Sequence, residues 1–328
     1  MNLKSKTVLV IGAGGFIGSH LAEQLLVKAG RVRAFVRYNS KRSCGNLEFL
    51  GDKKKNIEIF YGDIRDADVL VKAMQGVDVV FNLAALVGIP YSYVNPHEVA
   101  MVNIIGTLNC LAAARDAGVK KFVQTSTSEV YGSPDRVPIR ESDALKPQSP
   151  YSATKIGSDS LALSYYYSFG LPVAIIRPFN TYGPRQSARA VIPTVISQAL
   201  NGSMIKLGSL APRRDFTFVL DTVSGFIRVA EADRSVGTVI NIGTGKDVSV
   251  GELVAIIGKI LGRKLVVKTD SRRIRPDKSE VVRLMADNSK AKKMLGWHAR
   301  FSLEQGLIET VDFIEKNRAL YDYRQYVV

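Results

Sequence analysis

Cysteine is almost missing: Cys44 and Cys110 are the only two in 328 residues. Two thiols cannot staple a chain this long, so a reducing compartment, the cytoplasm, is the expected location. Histidine is as sparse. His20, His97 and His298 stand far apart without ligand spacing, so no metal site is expected. No apolar run reaches about 18 uninterrupted residues, so no membrane span is expected. Met1 to Lys6 lead straight into an apolar strand-like run and then glycines, which is not a signal-peptide pattern. Acidic residues are in the minority, 30 against 45 lysines and arginines, for a net charge of +15. From Lys259 to Arg300 there are 13 basic and 4 acidic residues, spread through helix and loop patterns without an aromatic-interleaved stripe. That distribution suits a phosphorylated small ligand better than nucleic acid, and no nucleic-acid partner is expected.

What is present is ordinary for a globular protein: 46% hydrophobic and 23% charged residues. Short apolar runs alternate with helical spacing. Thr7 to Ile11, Val32 to Val36, Ile57 to Tyr61, Val77 to Leu83, Phe122 to Thr125 and Val173 to Ile176 read as strands. Strands apolar on both faces, separated by helices, predict an α/β fold: a doubly wound parallel sheet of Rossmann type. A long helix is predicted from Pro96 to about Ala117, opened by proline and closed by Gly118. Proline and glycine become denser after Arg177. We therefore expect a dinucleotide-binding domain over 1–177 and a smaller, mainly substrate-binding C-terminal lobe over 178–328.

Gly12, Gly15 and Gly18 follow the first strand and open the first helix in a G-x-x-G-x-x-G pattern, with Phe16 and Ile17 between the last two. Such a loop lets backbone approach a pyrophosphate at a helix N-terminus. The second strand ends Arg37-Tyr38-Asn39-Ser40-Lys41-Arg42, where a ribose-binding carboxylate is replaced by Arg37. Basic groups there favour NADP over NAD. Arg37, Asn39, Ser40 and Lys41 are thus candidate ribose contacts. Asp63 and Ile64 are candidates beside the adenine, and Ala84, after the fourth strand, is a further cofactor contact.

Tyr151 and Lys155 lie four apart at the start of a predicted helix, on one face. An ammonium near a phenol lowers its pKa and makes it a usable base. The fifth strand ends Thr125-Ser126-Thr127-Ser128-Glu129, where Thr127 can hydrogen-bond a sugar hydroxyl.

With these motifs, and with Arg177-Pro178-Phe179-Asn180-Thr181-Tyr182-Gly183-Pro184 and Arg214-Asp215-Phe216-Thr217-Phe218-Val219, the chain resembles the extended short-chain dehydrogenase/reductases that act on nucleotide sugars. The resemblance implies that Asn180, Arg214 and Arg275 hold the nucleotide diphosphate, that Pro178 lies by the nicotinamide, and that the protein is a homodimer paired through two helices, near 96–117 and 151–169. Glu129 resembles the glutamate of the 4,6-dehydratases, which removes the C5 proton after oxidation at C4. Ser128 stands where many dTDP-glucose dehydratases carry an aspartic acid. The acid for the leaving hydroxyl is then either Glu129 itself or a relay through Ser128.

Arg37 to Ser40, Gln186 to Pro193, Arg214 to Thr222 and Arg275 to Val281 are most similar to UDP-N-acetylglucosamine 4,6-dehydratases of the legionaminic acid pathway. That implies conversion of UDP-N-acetylglucosamine to its 4-keto-6-deoxy sugar, with the cofactor tightly bound and regenerated each turnover. The alternatives are a UDP-glucuronate decarboxylase, a UDP-sugar 4-epimerase, or a non-enzymatic cofactor-bound sensor.

Overall fold

The structure is a computed structural model that describes residues 1–322. Its centre is a seven-stranded parallel sheet. In chain order the strands are β1 (Thr7–Ile11), β2 (Arg31–Arg37), β3 (Ile57–Gly62), β4 (Val79–Asn82), β5 (Lys121–Thr125), β6 (Val173–Pro178) and β7 (Val239–Ile242). Their order across the sheet is β7-β6-β5-β4-β1-β2-β3. The direction of winding reverses between β1 and β4, and the crevice beyond the strand ends at such a reversal is where this architecture binds ligands.

The α-helices of eight residues or more are α1 (Phe16–Leu25), α2 (Ala67–Met74), α3 (Pro96–Asp116), α4 (Pro150–Phe169), α5 (Val191–Ala199), α6 (Val219–Glu231), α7 (Val250–Ile260) and α8 (Leu303–Lys316). Val8 and Val10 pack into one apolar cluster with Leu21 and Leu25 of α1 and Phe226 of α6. Leu9 and Ile11 pack into a second cluster with Leu70 of α2, Leu111 of α3 and Ala162 of α4. The period of two along β1 sends alternate side chains to the two faces, and both are buried. Cys44 belongs to the first cluster and Cys110 to the second, both as free thiols on opposite sides of the sheet.

The second half of the chain sends β7 back to pair with β6. It also forms small sheets of its own, one of them made by Val248–Ser249, Arg213–Arg214 and Arg283–Leu284. Trp297 is buried there, its Nε1 donating to Asp221 O at 3.0 Å. A third apolar cluster, with Val130, Tyr131, Ile139, Phe179 and Leu284, joins the segment after β5 to this lobe.

α3 is long and apolar enough to cross a bilayer by length and composition, but half of it is buried inside the protein. It is not a uniform helix: Met101–Ile105 is π-helical. The extra residue turns Asn103 inward, where its Nδ2 donates to Leu86 O at 3.1 Å and to Thr154 Oγ1 of α4 at 3.0 Å.

Candidate active site

The glycine loop is built by contact between backbones. Gly12 has φ 84°, and a Cβ there would fall 2.9 Å from Ala84 N at the end of β4. A Cβ on Gly18 would fall 2.3 Å from Gly12 O. Gly15 caps α1 without a side-chain hydrogen bond, so the first-turn N–H groups face the cavity unblocked by any side chain.

That cavity, about 1020 Å³, opens beyond the sheet at the reversal point. Such a volume exceeds that of a typical single-ligand pocket and suits a dinucleotide together with a second nucleotide. Gly12, Gly15, Phe16, Ile17, Gly18, Arg37, Asn39, Asp63, Ile64 and Ala84 all line it. So do Thr127, Ser128, Glu129, Tyr151, Pro178, Asn180, Arg214 and Arg275.

Ser40 and Lys41 are exposed and outside the lining. Asn39 folds the loop back on itself, its Nδ2 donating to Ser43 O at 2.8 Å and its Oδ1 accepting from Ser43 N, and both Asn39 and Ser43 line the cavity. Asp63 does line the cavity, but Arg65 already holds both its oxygens, at 2.9 and 2.6 Å, and keeps the carboxyl below its usual pKa. Lys155 lies beneath the wall: it is 4% exposed and its Nζ donates to Thr125 O at 2.6 Å.

The reactive groups converge where β5, α4 and β6 end. A capping box, Ser149 with Ser152, and Pro150 in the first turn start α4 at a defined point, so Tyr151 enters the cavity from its first turn. Thr127 caps the short turn after β5, accepting from Glu129 N at 3.2 Å. Its hydroxyl proton is thereby free for another acceptor, and the hydroxyl lies close enough to the Tyr151 phenol to favour its ionised form. Burial pushes the Tyr151 pKa up, and the negative charge of Glu129 adds to this. Burial lowers Lys155 to about 8, against a partial compensation by Asp159.

At the far side, Arg214 Nη2 donates to Glu280 Oε1 at 3.3 Å, and Arg275 Nη1 is 3.8 Å from the same oxygen. Arg275 Nη1 and Asn180 Oδ1 are buried without a hydrogen-bond partner. Two guanidiniums sharing one carboxylate, beside an unsatisfied donor and acceptor, form a site able to take an anion with polar substituents. The fit to a dinucleotide on one side and a nucleotide diphosphate on the other is thus physical: backbone cradle, open helix end, arginine pair.

Sequence reasoning missed part of the wall. Arg189 lies over Gly88, where a Cβ would be 2.5 Å from its Nη1. Tyr93 meets Ser279 at 2.5 Å between hydroxyl oxygens, closing the rim. Gln186 and Glu280 also face inward. Glycine at 88 and arginine at 189 carry no motif that pairs them across 101 residues of sequence.

Comparison with known proteins agrees with this geometry. The family model described as GDP-mannose 4,6 dehydratase matches residues 9–310. A UDP-glucose 4-epimerase of Mycolicibacterium smegmatis is 35% identical over 312 residues, covering 93% of this chain and 97% of the relative. The dTDP-glucose 4,6-dehydratase DesIV of Streptomyces venezuelae, solved with NAD bound, is 32% identical with a TM-score of 0.86, covering 96% of this chain and 99% of that one. The UDP-glucuronic acid 4-epimerase of Bacillus cereus, solved with UDP-glucuronic acid and NAD, is 30% identical with a TM-score of 0.87, covering 95% and 99%. The chain belongs to the GDP-mannose 4,6 dehydratase family, the nicotinamide-dependent dehydratases and epimerases of nucleotide sugars.

Proposed function

We propose that this protein is a nucleotide-sugar 4,6-dehydratase whose substrate is UDP-N-acetylglucosamine. The observation that carries the reading is Glu129: a half-buried carboxylate on the cavity wall, two residues after Thr127 and within the electrostatic field of Tyr151. A 4-epimerase needs only reversible oxidation and rotation of the sugar. A dehydratase also needs a base at C5, and Glu129 is that base.

Tyr151 Oη takes the proton from the C4 hydroxyl, and Thr127 orients that oxygen. A nicotinamide held by the glycine loop and Pro178 would supply the hydride chemistry, taking a hydride from C4 and returning it at C6. With a ketone at C4 the C5 proton is acidic, and Glu129 removes it. The C6–O bond breaks and the oxygen leaves as water, protonated by Glu129 or through Ser128. As hydride arrives at C6, C5 takes back a proton, which balances the one collected from O4, so Tyr151 and Glu129 end the cycle as they began and the products are a 4-keto-6-deoxy sugar nucleotide and water. Asn180, Arg214 and Arg275 hold the diphosphate.

For the cofactor, the NAD in both neighbours and the position of Ser40 and Lys41 outside the cavity weigh against the NADP expected from the basic strand end. We infer NAD, and release of the bound nucleotide by denaturation followed by chromatography identifies it. The UDP-glucuronic acid of the epimerase neighbour supports uridine as the base. A hexuronate would bring a second carboxylate toward Glu129, and like charges in a desolvated site repel, which favours a neutral hexose. A homodimer in the cytoplasm completes the reading.

Parallel incubation with UDP-N-acetylglucosamine, UDP-glucuronate and UDP-glucose, read by mass spectrometry, is the test. Loss of water from the first is expected; loss of carbon dioxide or an unchanged mass with epimerised sugar would replace the reading. Glu129→Gln should slow water loss by about 10² or more while nucleotide-sugar binding persists. Full turnover by that variant would remove Glu129 from the elimination.

A further inference from the structure

We propose that Asp159 is a positioning residue of the catalytic centre, clamping the ends of β5 and β6 to α4 and serving as the buried counter-charge of Lys155. The proposal rests on the reading that Tyr151 and Lys155 carry the oxidation at C4, and is independent of the elimination at C5 and C6.

Asp159 is 2% exposed and succeeds Lys155 by one helical turn and Tyr151 by two, so the three share one face of α4. Its Oδ2 accepts from Ser126 Oγ at 2.6 Å and from Arg177 Nη2 at 3.1 Å and Nε at 3.3 Å. Ser126 immediately precedes Thr127, and Arg177 immediately precedes Pro178. One carboxylate oxygen therefore fixes both strand ends that present reactive groups, relative to the helix that presents the phenol.

A purely structural Arg–Asp pair would be expected to use both oxygens in a fork. Here every donor crowds Oδ2, and Oδ1 is buried with no hydrogen-bond partner. Leaving a buried acceptor unsatisfied is costly, so the arrangement needs another return. That return is electrostatic: the Asp159 charge helps Lys155 keep its proton and disfavours ionisation of Tyr151. It thereby biases the protonation of both groups on which the oxidation depends.

Other charged or titratable groups face this centre from the elements packed on it. They are Glu129 and Tyr131 from the turn after β5, and Arg177 from β6, whose Nη1 donates to Tyr131 Oη at 2.9 Å. From α3 the contacts are neutral: Asn103 Nδ2 donates to Thr154 Oγ1, and Ser158 Oγ donates to Asn103 O.

The test is Asp159→Asn in the full chain, with Lys155 followed by its 13Cε resonance in lysine-labelled protein and assigned by its loss in Lys155→Met. The Lys155 midpoint should fall by roughly one unit, and the pH optimum of kcat/KM should move the same way. An unmoved midpoint with an unmoved pH profile would make Asp159 a structural ion-pair partner only. The resonance needs no substrate, so it reads the proposal even if the sugar assigned above is wrong. Should Asp159→Asn fail to fold, Ser126→Ala decides on the clamp. It keeps the charge, and kcat should fall about fivefold at constant KM, the loss expected of one buried hydrogen bond. Unchanged kcat in Ser126→Ala would overturn it.

Discussion

Lys155 shows most directly what the site costs the fold. Its pKa is near 8 in the folded chain against 10.5 for an ordinary lysine. Between those values the unfolded chain binds more protons, so stability rises with pH through that window and the full penalty applies below it. Lys155→Met should therefore be more stable at pH 7, by about 2 kcal/mol after the lost bond to Thr125 O is counted, and inactive. Urea unfolding alongside turnover measures both. The same value predicts that kcat/KM falls above about pH 8, as the Lys155 ammonium is lost from the catalytic centre. At this scale the sequence was informative wherever chemistry has a fixed spacing. Tyr151 and Lys155 sit four apart on one helix, and Thr127 and Glu129 lie two apart after a strand. It was uninformative where partners are distant: the spacing from Ser126 to Asp159 to Arg177 results from how β5, α4 and β6 pack, which no local pattern encodes. The basic run after β2 was ambiguous for a related reason. Charge is visible in a sequence, but the direction in which a loop turns its lysine is not.

Among the elements, α1 carries a built-in acid sensitivity. His20 on this helix is buried, edge-on to Phe16, and its Nε2 pairs with Pro184 O at 2.9 Å. Burial, helped by the nearby Arg185, lowers its pKa from 6.5 to about 4. The unfolded chain takes up this proton first as pH falls, so stability present above pH 6.5 is lost on the way to 4. His20→Gln should flatten the melting temperature across that interval, and an unchanged acid limb would assign the sensitivity to other groups. Element existence was readable because strands buried on both faces leave unbroken apolar runs, as Thr7–Ile11 does. The π-helical segment of α3 was not, since Met-Val-Asn-Ile-Ile reads as ordinary helix. It is the packing of Asn103 against Thr154 and the Leu86 backbone that accommodates the extra residue.

At the level of the whole molecule, α4 presents an aromatic outer face. Tyr165 is buried, whereas Tyr167 and Phe169 are 75% and 54% exposed. This face suits the twofold pairing proposed above, and light scattering should give a dimer that Tyr167→Glu converts to monomer without unfolding. The return of β7 to the edge of β6 carries a different lesson for anyone who would divide the protein. The chain leaves the sheet after Pro178, builds the lobe that holds Asn180 and Arg214, and comes back to donate Val239–Ile242. A fragment ending at residue 177 would bare the hydrogen-bonding edge of β6, whose residues are all buried in the intact protein. Such a sticky margin invites strand addition from other copies, so the fragment should precipitate where the full chain stays in solution. Swapping the second half between relatives would accordingly have to carry this last strand along with it, since that half also supplies the selvedge that keeps the first half from unravelling.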